Sequence, residues 1–285
     1  MTNKVLITGA EGFTAHYLIG FLSQSRKHKL FFTDLANNLN YDNFSSCDLS
    51  EPQDVSDLIS KVQPDQIYHL AGAFTNNYEI DYKSNFLSTK NICDALLKFN
   101  YKNTRMLLIG SSSEYGDVLS NVEPISENSL LHPISIYGLS KSFQTYLMDF
   151  YFRTYGLNLI MARTFNLIGK KISNKLFVGN VFTQIEDYKI GKISKIKVGS
   201  LQAKRDYLEV EDAVRDYEII MTKGCAGEIY NVGSGKLIKM SLLLEKLLKD
   251  NGLDYGVVEE VNYVSSTIMT SFADISKLNK LKGKC

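Results

Sequence analysis

Apolar residues in the N-terminal half fall into short continuous runs, separated by longer stretches where they recur every three or four positions. The runs at residues 4–9 (KVLITG), 29–34 (KLFFTD), 66–72 (QIYHLAG), 105–112 (RMLLIGSS) and 157–166 (LNLIMARTFN) predict buried strands. Residues 16–25 (HYLIGFLSQS), 54–62 (DVSDLISKV), 88–99 (STKNICDALLKF) and 135–155 (SIYGLSKSFQTYLMDFYFRTY) carry a helical spacing, and Pro64 stands just past the second of these. Strands that alternate with helices must be parallel and joined by crossovers, so the expected fold is α/β, a doubly wound parallel sheet with helices on both faces. Beyond Asn166 the pattern breaks into shorter pieces richer in Lys and Gly, which predicts a smaller mixed α/β C-terminal cap.

The turn after the first strand sharpens this to a Rossmann-type sheet. It reads TGAEGFTA (8–15) and opens directly into a helix. Gly9 permits the tight turn, Gly12 lets backbone approach a pyrophosphate, and Ala15 is small enough for helix to pack on strand. The diphosphate would sit on the free N–H groups of the helix N-terminus. Asp34 ends the next strand, where a carboxylate accepts hydrogen bonds from ribose hydroxyls and repels a 2′-phosphate. No Arg follows in LANNLN (35–40), so NAD(H) is favoured, with NADP(H) possible. Asp48 could reach the adenine amine or, alternatively, cap the next helix. The expected division is a dinucleotide-binding domain at 1–166, rejoined by 201–225, and a cap from 167–200 and 226–285 that binds substrate.

The motif YGLSK places Tyr137 and Lys141 at i and i+4, on one face of the long helix. An ammonium beside a phenol is expected to lower the phenol's pKa toward neutrality. Tyr137 could then pass a proton to or from a sugar hydroxyl while hydride moves to or from nicotinamide. Ser111, at the carboxyl edge of the sheet, would donate a hydrogen bond to the same oxygen.

Together TGAEGFTA, Asp48-Leu49, HLAG (69–72), Asn85, the serine strand end and YGLSK resemble the extended short-chain dehydrogenase/reductases, the NAD-dependent epimerase/dehydratase family that acts on nucleotide sugars. ARTFN (162–166), KRDYLEVEDAVR (204–215) and GEIYNVGSG (227–235) resemble further landmarks of that family. The resemblance implies cofactor contacts from Gly9, Gly12, Phe13, Thr14, Asp34, Leu35, Asp48, Leu49, Leu70, Ala71, Gly72, Asn85, Tyr137, Lys141 and Thr164. It implies substrate contacts from Ser112, Ser113, Glu114, Asn166, Asn180 and Arg205, with Arg205 on the nucleotide diphosphate. It also implies a homodimer, formed when the helices at 85–100 and 137–155 pair across a two-fold into a four-helix bundle. Family members usually continue past KLNKLKGKC through an aromatic residue and a final helix, so the cap is expected to be short or incomplete.

GSSSEYG (110–116) admits two registers. Counted forward from the serines, Glu114 matches the elimination acid/base of sugar 4,6-dehydratases. Counted back from Tyr115-Gly116 without a gap, Ser113 takes that place and Glu114 precedes the Tyr, a form similar to the reductases of GDP-4-keto-6-deoxymannose. The ungapped register is the simpler. It predicts a C4 oxidoreductase, reductase or 4-dehydrogenase, with Ser111, Tyr137 and Lys141 catalytic and Glu114 in a strand-end or substrate-hydroxyl role. A 4-epimerase, a 4,6-dehydratase and a non-catalytic NAD-sensing protein are the alternatives.

Bulk properties narrow the setting. Thirty-two basic against 31 acidic residues in 285 leave a net charge of +1, which does not suggest a nucleic-acid partner. Cys47, Cys93, Cys225 and Cys285 form no CxxC pair and are expected as free thiols in a reducing cytoplasm. His16, His28, His69 and His132 lack metal-ligand spacing, so no metal is expected. No signal peptide and no run long enough to span a membrane is evident.

Overall fold

In the computed structural model, which describes residues 2–25, 27–117, 123–261 and 269–283, six strands build the first part of the sheet. They are β1 (Asn3–Thr8), β2 (His28–Asp34), β3 (Phe44–Ser46), β4 (Gln66–His69), β5 (Arg105–Ser111) and β6 (Leu159–Thr164). A further strand, Ile229–Val232, pairs with β6, and the order across the sheet is Ile229–Val232, β6, β5, β4, β1, β2, β3. Every neighbouring pair is parallel. Each residue of β6 is buried, as a strand covered on both faces requires. The order reverses at β1, between β4 and β2, and this opens a crevice at the carboxyl ends of those strands.

The helices are α1 (Phe13–Ser23), α2 (Pro52–Val62), α3 (Tyr78–Asp81), α4 (Ser88–Lys98), α5 (Ile136–Tyr155), α6 (Phe177–Lys189), α7 (Val210–Lys223), α8 (Met240–Asp250) and α9 (Ser276–Leu281). On one face of the sheet, Leu18 of α1, Val214 and Tyr217 of α7 and Leu278 of α9 pack against Val5 and Ile7. On the other, Ile59 of α2, Leu96 of α4 and Met148 of α5 pack against Leu6 and Leu108. A separate apolar cluster joins Val181 and Ile185 of α6 to Val198, Leu244 and Leu247. It lies outside the sheet and forms the centre of the C-terminal portion.

Several elements differ from the sequence expectation. Residues 226–285 do not all belong to a cap, because Ile229–Val232 extends the main sheet through the α7 crossover and α9 packs back onto α7. Helix α2 begins at Pro52 rather than 54, since proline at N1 needs no N–H partner. Strand β4 stops at His69, short of Gly72. Ahead of α4 lie α3 and a π-helical turn, Tyr82–Leu87. The run at 157–166 breaks at Phe165, and Asn166–Ile168 leaves the sheet to pair with Tyr207–Glu209. Cys47 and Cys93 are buried free thiols and Cys225 is free, while Cys285 lies outside the described residues. Among the described residues no helix is long and apolar enough to cross a membrane, and no His/Cys/Asp/Glu group is placed to hold a metal ion.

Candidate active site

The turn after β1 is shaped by what a side chain would strike. Gly9 has φ +65°, and a Cβ there would lie 2.7 Å from the Ala71 backbone. Gly12 donates its N–H to Gly9 O at 2.9 Å. Its own lack of a side chain leaves α1 without a side-chain cap, so the N–H groups of the first turn face outward. Asp34 accepts from Glu11 N at 3.1 Å and Leu35 N at 2.8 Å. The crevice here holds about 370 Å³ and is lined by Gly9, Gly12, Asp34, Leu35, Asp48, Leu49, Leu70, Ala71 and Gly72, all expected from the sequence. Cys47, Ile80, Lys83 and Ser88 line it as well, which the sequence did not reveal. Asp48 holds Ser50 through N (2.9 Å) and Oγ (2.7 Å), and Glu51 rather than Asp48 is the N-cap of α2. Phe13 and Thr14 occupy the first turn of α1, where the Phe13 ring presses on Gly169.

Ser111 ends β5, and α5 brings Tyr137 and Lys141 to it. Ser135 caps α5 by accepting from Gly138 N at 3.0 Å. Gly138 permits the approach, since a Cβ there would lie 2.4 Å from Ser113 O. The Ser111 side chain stands beside the Tyr137 hydroxyl and acts to lower its pKa. Lys141, only 5% exposed, donates from Nζ to Ile109 O at 2.9 Å and Gln144 Oε1 at 3.2 Å. The expected fall in the Tyr137 pKa does not occur. Burial pushes it up to about 12, with the Ser111 side chain opposing and the Glu114 and Asp81 charges adding to the rise, while the Lys141 ammonium is aimed at Ile109 and Gln144. Burial lowers Lys141 to about 8, against the carboxylates of Glu114 and Asp81.

Other predicted residues sit behind the crevice surface. Glu114 is fully buried; Oε1 accepts from Ser111 N at 2.8 Å and Oε2 from Thr145 Oγ1 at 2.5 Å. The Arg163 guanidinium pairs with Oε2 at 3.0 Å, so both carboxylate oxygens have partners within the protein. Asn85 is likewise buried, with its amide bonded to Ala73 N, Ala73 O and Ser140 Oγ at 2.9–3.1 Å. The Thr164 hydroxyl meets Tyr217 OH at 2.8 Å. Ser112 and Ser113 are partly buried in the turn beside Ser111. Asn166 donates to Asp206 O at 2.9 Å, and Arg205 is partly buried on the strand Lys204–Arg205. Asn180, exposed on α6, accepts from Gln184 at 2.7 Å.

Two supporting groups escaped sequence reasoning. Gln144 links Lys141 to Thr89 (2.8 Å), Thr89 to His69 Nε2 (3.0 Å), and His69 Nδ1 to Thr8 (2.8 Å). Burial, aided by the Lys141 charge, lowers His69 to about 3 and keeps it neutral. Buried Asp81 accepts from Thr75 N at 3.0 Å and Asn76 N at 2.9 Å, and Asn76 Oδ1 accepts from Tyr137 N at 3.2 Å. Phe74 packs edge-on against Tyr137 with centroids 4.8 Å apart. The one sequence signal for the first network was His69 inside an apolar strand.

Comparison with known proteins gives a consistent picture. Residues 5–233 match the model of the NAD dependent epimerase/dehydratase family. The chain is 30% identical over 267 residues to GDP-6-deoxy-D-mannose reductase of Pseudomonas aeruginosa, covering 91% of this chain and 84% of that protein. It is 28% identical over 256 residues to dTDP-glucose 4,6-dehydratase of Haemophilus influenzae, covering 81% and 74%. Its structure resembles that of RMD from Pseudomonas aeruginosa complexed with NADPH, with a TM-score of 0.86 and 27% identity over 99% of this chain and 92% of that one.

Proposed function

The chain belongs to the NAD dependent epimerase/dehydratase family, and from that premise we propose that it is a nucleotide-sugar C4 oxidoreductase reducing the 4-keto group of a GDP-linked deoxyhexose. At the coarser level it is a nucleotide-sugar-modifying enzyme, as its relatives are. The observation that carries the finer reading is the burial of Glu114. Hydride transfer at C4 needs a proton donor and a polarising hydroxyl, while eliminating a sugar hydroxyl also needs a carboxyl as acid or base. Glu114 is the carboxyl of GSSSEYG, and both its oxygens are held by Ser111 N, Thr145 and Arg163. That supports reduction over dehydration.

The residues fit a nicotinamide dinucleotide. Gly9, Gly12 and the uncapped N-terminus of α1 would hold the diphosphate, Asp34 the adenosine ribose, and Lys141 the nicotinamide ribose. Glu11, whose carboxylate accepts from Asn38 Nδ2 at 2.8 Å and Leu39 N at 2.9 Å, adds a second negative charge near Asp34. Both acids would repel a 2′-phosphate, which favours NAD(H). When bound, the reduced cofactor supplies the hydride. Tyr137 gives its phenol proton to the 4-oxygen as C4 is reduced, and Ser111 donates a hydrogen bond to that oxygen. A phenol pKa raised to about 12 suits a proton donor. In the reverse direction the same groups serve a 4-dehydrogenase. Arg205 would meet the nucleotide diphosphate, with Ser112, Ser113 and Asn166 near the sugar and Asn180 on the α6 side. The dinucleotide-binding part would be 1–166 with 201–225, joined by Ile229–Val232 and α9, and the substrate-binding part would centre on α6 and α8. Two copies would pair through α4 and α5.

The test is to mix the purified protein with NADH and GDP-4-keto-6-deoxymannose, follow nicotinamide absorbance, and resolve products by NMR. One NADH consumed per new 4-hydroxyl is expected. Conversion of GDP-mannose with NAD to a 4-keto-6-deoxy product would overturn the reading.

A further inference from the structure

We propose that Glu114 is a positioning residue: its buried carboxylate fixes the backbone of Ser111 and ties it to the helix that carries Tyr137 and Lys141. The proposal rests on the oxidoreductase reading above and concerns how the serine hydroxyl is aimed.

The geometry is specific. Ser111 is the last residue of β5, and its N–H is taken by Glu114 Oε1 at 2.8 Å. In return Ser111 Oγ accepts from Ser113 N at 3.2 Å, so carboxylate and serine close a reciprocal capping box over one 3₁₀ turn. With that lone pair engaged, the hydroxyl proton of Ser111 is free to point at the Tyr137 oxygen, whose pKa the serine acts to lower. The second oxygen of Glu114 accepts from Thr145, one helical turn beyond Lys141 on α5. A single carboxylate therefore spans the gap between the strand bearing the serine and the helix bearing the tyrosine and lysine. Gly110 makes room for it, because a Cβ there would lie 2.7 Å from Glu114 Oε1.

Stability alone does not call for this pair. Glu114 is 0% and Arg163 1% exposed, and burying two charges costs several kcal/mol per ion before their attraction offsets it. Apolar residues of similar size often serve stability as well or better. What apolar residues cannot do is accept the Ser111 N–H. Arg163 is itself anchored, donating to Tyr115 OH at 2.9 Å, and Tyr115 OH donates to Asn231 at 2.7 Å. The acceptor is thus braced from β6 and from the strand Ile229–Val232.

Two double variants separate positioning from packing. Glu114→Leu/Arg163→Met removes both buried charges and the acceptor for Ser111 N–H. Glu114→Gln/Arg163→Met removes the charges but keeps an amide oxygen that can accept. Both are expected to unfold near the wild-type temperature and to bind NADH with unchanged Kd. With NADH and the 4-keto sugar nucleotide, the Leu/Met variant should lose about 100-fold in kcat with little change in KM, the scale of a small misplacement of reacting groups, while the Gln/Met variant recovers most of it. Equal kcat in the two variants would overturn the proposal. A readout that needs no substrate is the Cζ resonance of Tyr137 in labelled protein, assigned with Tyr137→Phe. Displacement of the Ser111 hydroxyl should shift it in the Leu/Met variant and leave it in place in the Gln/Met variant; an unshifted resonance in both overturns the proposal. Wild-type activity on the 4-keto sugar decides the functional reading separately.

Discussion

Lys141 and Tyr137 lie one helical turn apart, yet burial moves their pKa values in opposite directions, the lysine to about 8 and the tyrosine to about 12. Around the ammonium, His69 stays neutral, while Glu114 and Asp81 carry negative charge that raises the lysine's pKa. The charge on Lys141 is therefore lost as pH rises through about 8 while Tyr137 remains protonated. The expected result is an alkaline limb in kcat/KM near that value, moved upward in Lys141→Arg, whose guanidinium does not titrate there. A flat profile across that limb would remove Lys141 from the role. Unfolding would not explain such a limb. A lysine whose folded pKa lies below its unfolded value is costly to bury while charged, so its contribution to stability improves as pH rises from the folded to the unfolded pKa. Tyr137, Lys141 and Ser111 were legible because spacing on a helix and position after a strand are local features. For Glu114 the sequence left two roles open, strand end or substrate hydroxyl, because the partner that buries it, Arg163, lies 49 positions away.

At the scale of elements, α5 was legible almost residue for residue, from its helical spacing, with Ser135 as cap. Gly138 lies inside this helix, where glycine costs roughly 0.5–1 kcal/mol relative to alanine. The structure supplies the reason in the close passage of Ser113 O. Gly138→Ala should strengthen the helix locally while pushing its first turn off the serine turn. We expect kcat to fall about tenfold or more, with NADH affinity little changed. Wild-type kcat in that variant would show that the close approach has no part in catalysis. The π turn at Tyr82–Leu87 was not legible, because a 3.6-residue period does not register one widened turn. That turn carries Asn85, whose amide holds both Ala73 N and Ala73 O beside Gly72.

For the whole molecule, an aromatic ladder runs along α3, the π turn and α5. Tyr78, Tyr82 and Phe86 stack with centroids 5.9 and 5.0 Å apart, and Phe86 meets Phe143 of α5 at 6.2 Å. Beyond it Tyr146 is 63% and Phe150 48% exposed. An apolar aromatic face of this kind suits the proposed pairing of two copies. Analytical ultracentrifugation should find a dimer that Tyr146→Glu with Phe150→Glu converts to monomer without loss of helix signal. A wild-type monomer at micromolar concentration would reject the pairing. The C-terminal portion was the least legible region. Its elements are short, and the chain crosses between the outer cluster and the main sheet, so that Ile229–Val232 and α9 return to a sheet that sequence had already closed.

The sequence by itself determined the alternation of strand and helix, the glycine turn with its acid at the end of β2, and the serine, tyrosine and lysine that meet at the sheet edge. Each depends on residues close in the chain, where period, turn chemistry and helical spacing act directly. Only the tertiary structure decided what Glu114 is bonded to, which way Lys141 points, and whether the Tyr137 pKa falls or rises. Those outcomes depend on burial and on partners from distant segments, and a desolvated charge responds to the groups packed around it. GSSSEYG is written in one stretch of chain, but its glutamate takes its role from an arginine on another strand.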